Sequence, residues 1–344
     1  MKKLPSPVRP VRAVSAARAA LGALAAFAAL LATGGTANAA GDAAENNAAG
    51  SAAAAAAPRV LVFSKTNGFR HTDAIDAGKK FFAKMGELHG FAPVFSEDAA
   101  VFTDDALRRF DAIVLLCTAG EFTMDVPAAG KRATAAAWDA ARKTSAERRE
   151  AFRRRIAGGA ALVGLHAATD NFKVGGAITK DGGVWDEYAR IIGGAFQHHP
   201  AHQNAVIKIT DKTHATTRHL EGAATGGDGA WRVFDEWYDF KDLQRDNHVL
   251  LDLDDASLRG AKPCLYAGGG RAGSHPLAWT RSYGKARVFY TARGHYGAAF
   301  GEPAYAQHVI AGLFWALNRP VPKIDPATLP PVKPLPQPKP ARRR

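Results

Sequence analysis

The chain has 344 residues, enough for one α/β domain with a sizeable core, and its formal net charge is +13. Residues 1–39 carry +5 and residues 319–344 carry +6, which leaves +2 for residues 40–318. A nearly neutral central part argues against nucleic acid as the main partner. Only two cysteines are present, which excludes a fold built on a disulfide framework.

The N-terminal segment predicts export. Basic residues precede an apolar stretch, Ala19 to Leu31, that is too short for a stable transmembrane anchor. Ala37-Asn38-Ala39 then fits a signal-peptidase site. We therefore predict a signal peptide over residues 1–39 with no stable membrane span after its cleavage; an uncleaved anchor or a misassigned start codon is the alternative. Residues 40–58 predict a flexible leader, and we expect the mature protein to be periplasmic or secreted.

The first half of the folded region alternates apolar runs with amphipathic segments, which predicts a parallel sheet with right-handed crossovers. The apolar runs predict four strands, at residues 59–64, 91–95, 112–116 and 160–165. Helices are predicted to begin at Thr72 or Asp73, at Thr103 and at Ser145. The Ala-rich segment from Glu121 to Thr144 has few large apolar residues and is expected to form an insertion or lid.

After Asp170 the pattern predicts shorter strands, several of them antiparallel or at a sheet edge. These strands fall at residues 205–210, 232–240, 248–254, 277–281 and 287–291. A short helix is predicted at residues 185–192, and a helix at residues 303–318 closes the domain. Residues 319–344 hold nine prolines followed by three arginines, so we predict a disordered polyproline-type tail, because each proline removes a backbone donor and fixes φ.

The segment from Ala160 to Asp170 is the most distinctive, because a buried strand runs into a sharp turn that carries His166. In α/β enzymes the pattern Gly-x-X-x-small lifts a reactive side chain above the end of the sheet. In acyl-transfer enzymes X is Ser or Cys, and a histidine cannot form the usual acyl-enzyme. The sequence therefore predicts an enzyme scaffold with different chemistry at this turn.

Two further histidines follow predicted strands as His166 does: His71 follows the first strand, and His295 the last. Ligands of open α/β sheets bind beyond the carboxyl ends of the strands, so we expect at least two of the three to share a pocket. Each one alone is a weak signal, since an isolated histidine more often caps a helix or satisfies a buried carbonyl.

A dense histidine cluster lies within residues 196–202, and it indicates either metal ligation or hydrogen bonding to a substrate. Its spacing lacks the helical i, i+4 pattern of the zincin motif, so a loop whose histidines point apart is the alternative. We expect His199 to point inward, because the proline that follows restricts its backbone.

The segment Asp235 to Phe240 alternates as a strand would, with Glu236 and Tyr238 on one face. These two side chains could supply an acid/base group and a hydroxyl to the pocket, and an exposed edge strand is the alternative.

Cys117, at the end of an apolar strand, is interpreted as a small buried residue and not as a nucleophile. Whether it pairs with Cys264 is left open.

An ordered set of motifs over about residues 59–318 resembles the ThuA-like (trehalose-utilisation) family. The motifs are Gly68-Phe69-Arg70-His71, Val163-Gly164-Leu165-His166, Gly193 to Pro200, Glu236-Trp237-Tyr238, His275-Pro276 with Trp279, Gly284 to Tyr290, and Gly294-His295. The resemblance implies an α/β fold of the flavodoxin-like or class I glutamine amidotransferase-like type: a three-layer sandwich with a mainly parallel central sheet and additional antiparallel strands. It also implies a role in carbohydrate catabolism, on keto-disaccharides or glycosides.

The amidotransferase parallel fails at the key turn. Those enzymes place a nucleophilic cysteine where this sequence has His166, or Leu165 if the register slips by one residue. The protein is therefore not expected to be a Cys-dependent glutamine amidotransferase.

Three functional hypotheses remain open. The first is an exported hydrolase or lyase acting on a small-molecule carbohydrate, whose catalytic candidates are His71, His166, His199, Glu236, Tyr238 and His295. Glu236 or a histidine would be the base, and another histidine or Tyr238 the acid. A divalent metal such as zinc is a candidate cofactor, with His166, His199 and His295 as candidate ligands. The second hypothesis is a non-catalytic carbohydrate-binding module, and the third is a metal-dependent hydrolase with another substrate.

Overall fold

The computed structural model describes residues 56–172, 184–220, 231–259 and 274–335. Within these ranges the strands are β1 Arg59–Phe63, β2 Ala92–Ser96, β3 Ala112–Leu116, β4 Ala161–Leu165, β5 Ala195–His198, β6 Gln203–Ile209, β7 Trp231–Asp235, β8 Asp239–Lys241, β9 His248–Leu253, β10 Pro276–Tyr283 and β11 Ala286–Thr291. The α-helices are α1 Thr72–His89, α2 Asp104–Leu107, α3 Ala135–Ala157, α4 Asp186–Ile192 and α5 Pro303–Ala316.

Nine of these strands form one sheet, in the order β2-β1-β3-β4-β11-β10-β9-β6-β7. The first five are mutually parallel, and from β11 onward each neighbouring pair is antiparallel. Strands β3 and β4 are buried along their whole length, as expected of parallel strands covered on both faces. The expected sheet, mainly parallel with antiparallel additions, is therefore confirmed.

Helices cover both faces of the sheet. Phe289 of β11 packs against Gly312 of α5, where an added Cβ would lie only 2.3 Å from the phenylalanine ring. The next residue, Tyr290, lies beside Gly164, which also contacts Ile192 of α4. Because successive side chains of a strand point to opposite faces, α4 and α5 lie on opposite sides of the sheet, as a three-layer sandwich requires. Among the described residues, no helix combines the length and apolar character needed to cross a bilayer.

The segment expected to be an insertion or lid contributes to the core. Helix α3 begins at Ala135, ten residues before the predicted start, and the Thr134 hydroxyl caps it by accepting from the Ala137 N–H. Phe122 and Met124 are fully buried. The ring of Phe122 meets several core phenylalanines edge-on, so the low density of large apolar residues concealed the few that anchor this segment.

The strand predicted over residues 232–240 is divided. It forms β7, which pairs with β6, and β8, which pairs with β5 in a separate two-stranded sheet. Residues 236–238 lie between the two strands. The Asp235 side chain accepts the backbone N–H of Glu236, which ends the ladder with β6 at this point.

Residues 319–335 pack against the domain, although the sequence predicts a disordered tail from residue 319. Ile324 is only 5% exposed, and the Gln307 side chain of α5 bonds both the Pro322 carbonyl and the Ile324 N–H at 2.8 Å. Prolines cannot donate a backbone hydrogen bond, but their carbonyls still accept one, so side chains can hold this segment against the domain.

The predicted signal peptide, the leader up to residue 55, Cys264 and residues 336–344 lie outside the described residues.

Candidate functional site

His166 follows β4 at a strained turn. Its φ is +50°, a value that residues with a Cβ rarely adopt. The turn is tightly packed, because a Cβ on Gly164 would lie 2.6 Å from Ile192 Cδ1. The His166 Nδ1 lies 2.7 Å from the Ala292 carbonyl, which can only accept, so Nδ1 carries the proton. In the neutral ring, the Nε2 lone pair then faces the site.

Four polar atoms approach the Nε2 of His166. They are His71 Nε2 at 3.1 Å, Glu236 Oε2 at 3.1 Å, Tyr238 Oη at 3.2 Å and His295 Nδ1 at 3.3 Å. These residues come from the segment before α1, from the β7–β8 connection and from the segment after β11. They meet beyond the carboxyl ends of the parallel strands, where open α/β sheets bind ligands.

The second oxygen of Glu236 faces two more histidines. Glu236 Oε1 lies 2.9 Å from the Nε2 of His199 and 2.9 Å from the Nε2 of His202. We call His71, His166 and His295 the inner histidines, and His199 and His202 the outer pair. The inner side chains are at most 14% exposed, whereas those of the outer pair are 37% and 29% exposed. Five imidazoles therefore surround one buried carboxylate.

Burial and mutual contact shift the charge states of this cluster. Burial would raise the pKa of the Glu236 carboxyl, but its contacts with the inner histidines outweigh burial and hold the pKa well below its usual range. Burial, reinforced by the neighbouring His166, lowers the pKa of His71 to about 4. Burial, together with the Glu236 charge, raises the pKa of Tyr238 well above its usual value. At neutral pH the site thus holds an ionised carboxylate, a neutral His71 and a protonated phenol.

The inner histidines and Glu236 fit a divalent metal ion. Their four facing donor atoms all lie within 4.8 Å of one another, and the separations measured between them include 3.0, 3.1, 3.3 and 3.9 Å. Ligands of a tetrahedral zinc with bonds of about 2.1 Å are about 3.4 Å apart. The Nε2 of His166 has one lone pair and cannot form a hydrogen bond with each of its four polar neighbours. A cation at the centre of the cluster could instead bind the lone pairs of all four donor atoms. Imidazole with carboxylate is a donor set that suits zinc and other first-row metals.

Asp235 holds the two sides of this cluster together. Its Oδ1 accepts the backbone N–H groups of Glu236 at 2.9 Å and His295 at 3.2 Å, and its Oδ2 accepts that of Gly294 at 3.1 Å. Arg293, also buried, balances the Asp235 charge with Nε 3.3 Å from Oδ2. Gly294 has a φ of +107°, and a Cβ there would lie 2.3 Å from the Tyr305 hydroxyl. Only glycine therefore permits this approach.

All the site residues predicted from the sequence lie in this one cluster: His71, His166, His199, Glu236, Tyr238 and His295. Of the three predicted metal candidates, His166 and His295 face the inner centre, whereas His199 faces the other oxygen of Glu236. His198, beside it in the same motif, points away and pairs with Asp239 at 2.9 Å. The catalytic roles of the six residues remain predictions.

Sequence reasoning missed Tyr296 and Asp235, and it included His202 only as part of the cluster at residues 196–202 and not among the predicted site residues. The Nδ1 of His202 lies 2.6 Å from the Tyr296 hydroxyl, and this contact orients the ring toward Glu236. The available signal was the spacing His199-x-x-His202, which can bring two rings to the same side of a turn. Asp235 was assigned to the opposite face of the predicted strand. The sequence around it does not indicate that its carboxylate accepts backbone N–H groups from the segment after β11.

Cys117 takes no part in the cluster. It is buried at the end of β3, and burial raises the pKa of its thiol well above the ordinary range. Since the thiolate is the reactive form, this environment is that of an inert core cysteine, as the sequence predicted.

Comparison with known proteins identifies the family. The profile of the ThuA (trehalose utilisation) family matches residues 59–316. Among solved structures, the chain is similar to a ThuA-like protein from Bacteroides uniformis, with 18% identity and a TM-score of 0.53 over 76% of this chain and 92% of that one. A ThuA-like protein from Parabacteroides merdae gives 19% identity and a TM-score of 0.49 over 78% and 93%. A search of curated proteins found no match. The chain belongs to the ThuA family.

Proposed function

We propose that this protein is an exported enzyme that acts on a small-molecule carbohydrate, a keto-sugar or glycoside, by metal-assisted acid/base chemistry at the Glu236 cluster. The family description, trehalose utilisation, supports a carbohydrate substrate. The basic, apolar and small-residue pattern of residues 1–39 supports export. The observation that carries the proposal is the convergence of five imidazoles on one buried carboxylate.

This convergence favours catalysis over simple sugar binding. A buried ionised carboxylate is costly unless compensated, and carboxyl groups whose pKa is strongly perturbed concentrate at catalytic sites. A sugar-binding module would instead present accessible aromatic faces and neutral hydrogen-bonding groups. Here Tyr238 is only 2% exposed and directs its hydroxyl at His166.

The charge states assign roles within the cluster. Glu236 has too low a pKa to be an effective base, and it serves as a ligand and as the negative charge of the site. With the inner histidines it would hold the cation, which supplies electrostatic stabilisation of a developing oxyanion. Tyr238 keeps its proton and acts as a donor. Because the inner groups are buried, substrate meets the outer pair first, so the proton acceptor belongs to that face of Glu236.

A keto glycoside offers a reaction that this site can promote. A base removes the acidified proton on the carbon beside the ketone. The electron pair of the broken C–H bond forms a carbon–carbon double bond while the glycosidic C–O bond breaks. The departing sugar oxygen takes a proton from an acid of the site. This route needs a base and a group that polarises the ketone, and it does not need the paired carboxylates of a glycosidase.

The direct test is a screen of keto and native disaccharides with chromatographic detection of products. We expect turnover by the wild type and none by the His166→Ala variant. His166→Asn is the control for folding, because its amide can still donate to the Ala292 carbonyl while the Nε2 position is lost; it should be folded and inactive. Full activity of either variant would exclude this site.

Two other outcomes would replace the proposal. Calorimetric binding of a sugar without any product would identify a binding module. Metal-dependent hydrolysis of a non-carbohydrate ester or amide, with no reaction on sugars, would identify a hydrolase of another class.

A further inference from the structure

The carboxylate of Glu236 lies between two groups of imidazole nitrogens. Its Oε2 is 3.1 Å from His166 and 3.0 Å from His295, and its Oε1 is 2.9 Å from each histidine of the outer pair. Each oxygen thus has its own set of nitrogen donors around one buried group. This is the arrangement of a carboxylate that bridges two metal ions.

The proton on His199 makes its contact with Glu236 unfavourable unless positive charge is added. His199 Nδ1 lies 2.8 Å from the Pro200 carbonyl, an acceptor, so Nδ1 carries the proton of the neutral ring. Its Nε2 lone pair then points at a Glu236 carboxyl oxygen 2.9 Å away. Two electron pairs that face each other at this distance repel, so a proton or a cation between the two atoms is required.

The same requirement holds for the neighbouring ring when the Tyr296 hydroxyl accepts the His202 Nδ1 proton. The two outer rings have centroids only 5.6 Å apart, and both Nε2 atoms lie 2.9 Å from the same Glu236 oxygen. A single divalent cation between these three atoms would serve both lone pairs and the carboxyl oxygen. The donor atoms of the outer pair and Glu236 lie within 4.8 Å of one another, as a shared ion requires.

We propose that His199, His202 and Glu236 Oε1 hold a second divalent cation, and that Glu236 bridges it to the inner one. The inference rests on the proposed function, which places the first cation among the inner histidines. Paired ions of this kind lie about 3.5–4 Å apart.

The two sites differ in the number of ligands that the protein offers. The inner ion would have four protein ligands and could meet a substrate oxygen only as a fifth ligand, whereas the outer ion would have three, the number that leaves a position for solvent or substrate. The outer pair is also the exposed side of the cluster. An ion at such a site lowers the pKa of bound water, which would provide the base that the proposed reaction needs on this face of Glu236.

The test is metal stoichiometry, measured on full-length mature protein purified without a histidine tag and freed of metal with a chelator. Titration with Zn²⁺ followed by elemental analysis should give two ions per chain for the wild type. The double variant H199A/H202A should retain one ion, with an unchanged far-ultraviolet circular dichroism spectrum, because both side chains are partly exposed. His198→Gln is the matched control, since this neighbour faces Asp239, and it should retain two ions.

Loading with Mn²⁺ tests the bridge itself. Two ions that share a carboxylate should give an exchange-coupled electron paramagnetic resonance spectrum, and H199A/H202A should give that of an isolated ion. Two uncoupled ions in the wild type would overturn the bridge. A second ion that survives in H199A/H202A would place it elsewhere and also overturn the inference.

The same titration separates failure of the inference from failure of the proposed function. One ion in the wild type, lost in His166→Asn but kept in H199A/H202A, would overturn the second site and leave the inner one intact. Wild-type protein that binds no ion would overturn both sites.

Discussion

His275 and His166 are both buried, with exposed fractions of 3% and 0%, yet the surroundings of their ring nitrogens differ. Both nitrogens of His275 face acceptors: Asp255 Oδ1 at 2.6 Å and the Tyr238 carbonyl at 3.0 Å. Burial would lower the pKa of His275, but these acceptors outweigh it and raise the pKa. One nitrogen of His166 also has a carbonyl acceptor, but the other faces two further imidazoles and a phenol besides the Glu236 carboxylate.

The difference separates a histidine that supports the fold from one that is poised to bind. A ring whose nitrogens both donate to fixed acceptors is saturated with protons and cannot ligate. A ring held by one donor bond presents its remaining lone pair in a fixed direction, which is how proteins orient metal-ligating histidines. Burial alone does not distinguish the two, whereas the count of donors and acceptors does.

The largest expected effect is on metal binding by His166→Asn. Loss of Nε2 removes one of four ligands at the inner centre, so we expect Zn²⁺ affinity to fall by at least about 10³-fold while the protein stays folded. Isothermal titration calorimetry measures the affinity, and His198→Gln provides the control. Unchanged affinity would show that the crowding around His166 has nothing to do with a cation.

The second prediction concerns His275→Ala, which should affect stability and not metal content. It removes the charged partner of Asp255 and leaves the Tyr238 carbonyl without its donor. Because Asp255 is partly exposed, we expect a loss of about 2–3 kcal/mol in the free energy of unfolding, below the range for fully buried pairs. Urea denaturation measures this loss, and elemental analysis of the folded variant should find the wild-type metal content. Metal loss without destabilisation would reverse the assignment of the two histidines.

The third prediction uses the Tyr296 hydroxyl, which orients the His202 ring. Tyr296→Phe deletes the partner of His202 Nδ1 and leaves the ligating nitrogen in place. Removal of an orienting partner should weaken the outer cation about 10-fold and leave the inner one unaffected. Stepwise Zn²⁺ titration resolves the two affinities, and a uniform weakening of both would contradict separate sites.

The smallest effect concerns His308, a third kind of buried histidine. Its Nδ1 donates to the Thr216 carbonyl, its Nε2 has no partner within the described residues, and burial lowers its pKa to about 3. An unfolded histidine titrates near 6.5, so the unfolded chain binds more protons between these values and acidification destabilises the fold. From pH 7 to pH 5.5 this residue should account for about 1 kcal/mol of lost stability.

His308→Asn keeps the donor toward Thr216 and cannot titrate. Denaturation at both pH values should therefore show a smaller pH dependence in the variant than in the wild type. Equal slopes would mean that His308 does not contribute to the acid sensitivity of the fold.

The parallel half of the fold could be predicted because its strands are buried on both faces and appear as continuous apolar runs. The strand-end rule then located the inner histidines. The antiparallel half was harder to predict, because the alternation of polar and apolar residues along residues 232–240 shows which residues share a face but not which strand they pair with. The break after Asp235 depends on bonds to residues 294 and 295, far along the chain.

The outer part of the site was predicted incompletely for the same reason. His199 was expected inward from the proline that follows it, and it does reach Glu236. His202 and Tyr296 belong to the site only because a loop after β5 meets the segment after β11. The periodicity of either segment alone does not predict that the two segments are in contact.

The sheet changes from parallel to antiparallel at β11, and the cluster straddles this junction. The parallel side supplies three imidazoles, and the appended side supplies the carboxylate and the outer pair. A chain that has formed only its parallel half would possess nitrogen donors but no counter-charge, so it could not retain a cation firmly. Firm binding of a cation would then require the whole fold, with the antiparallel strands docked on the parallel ones.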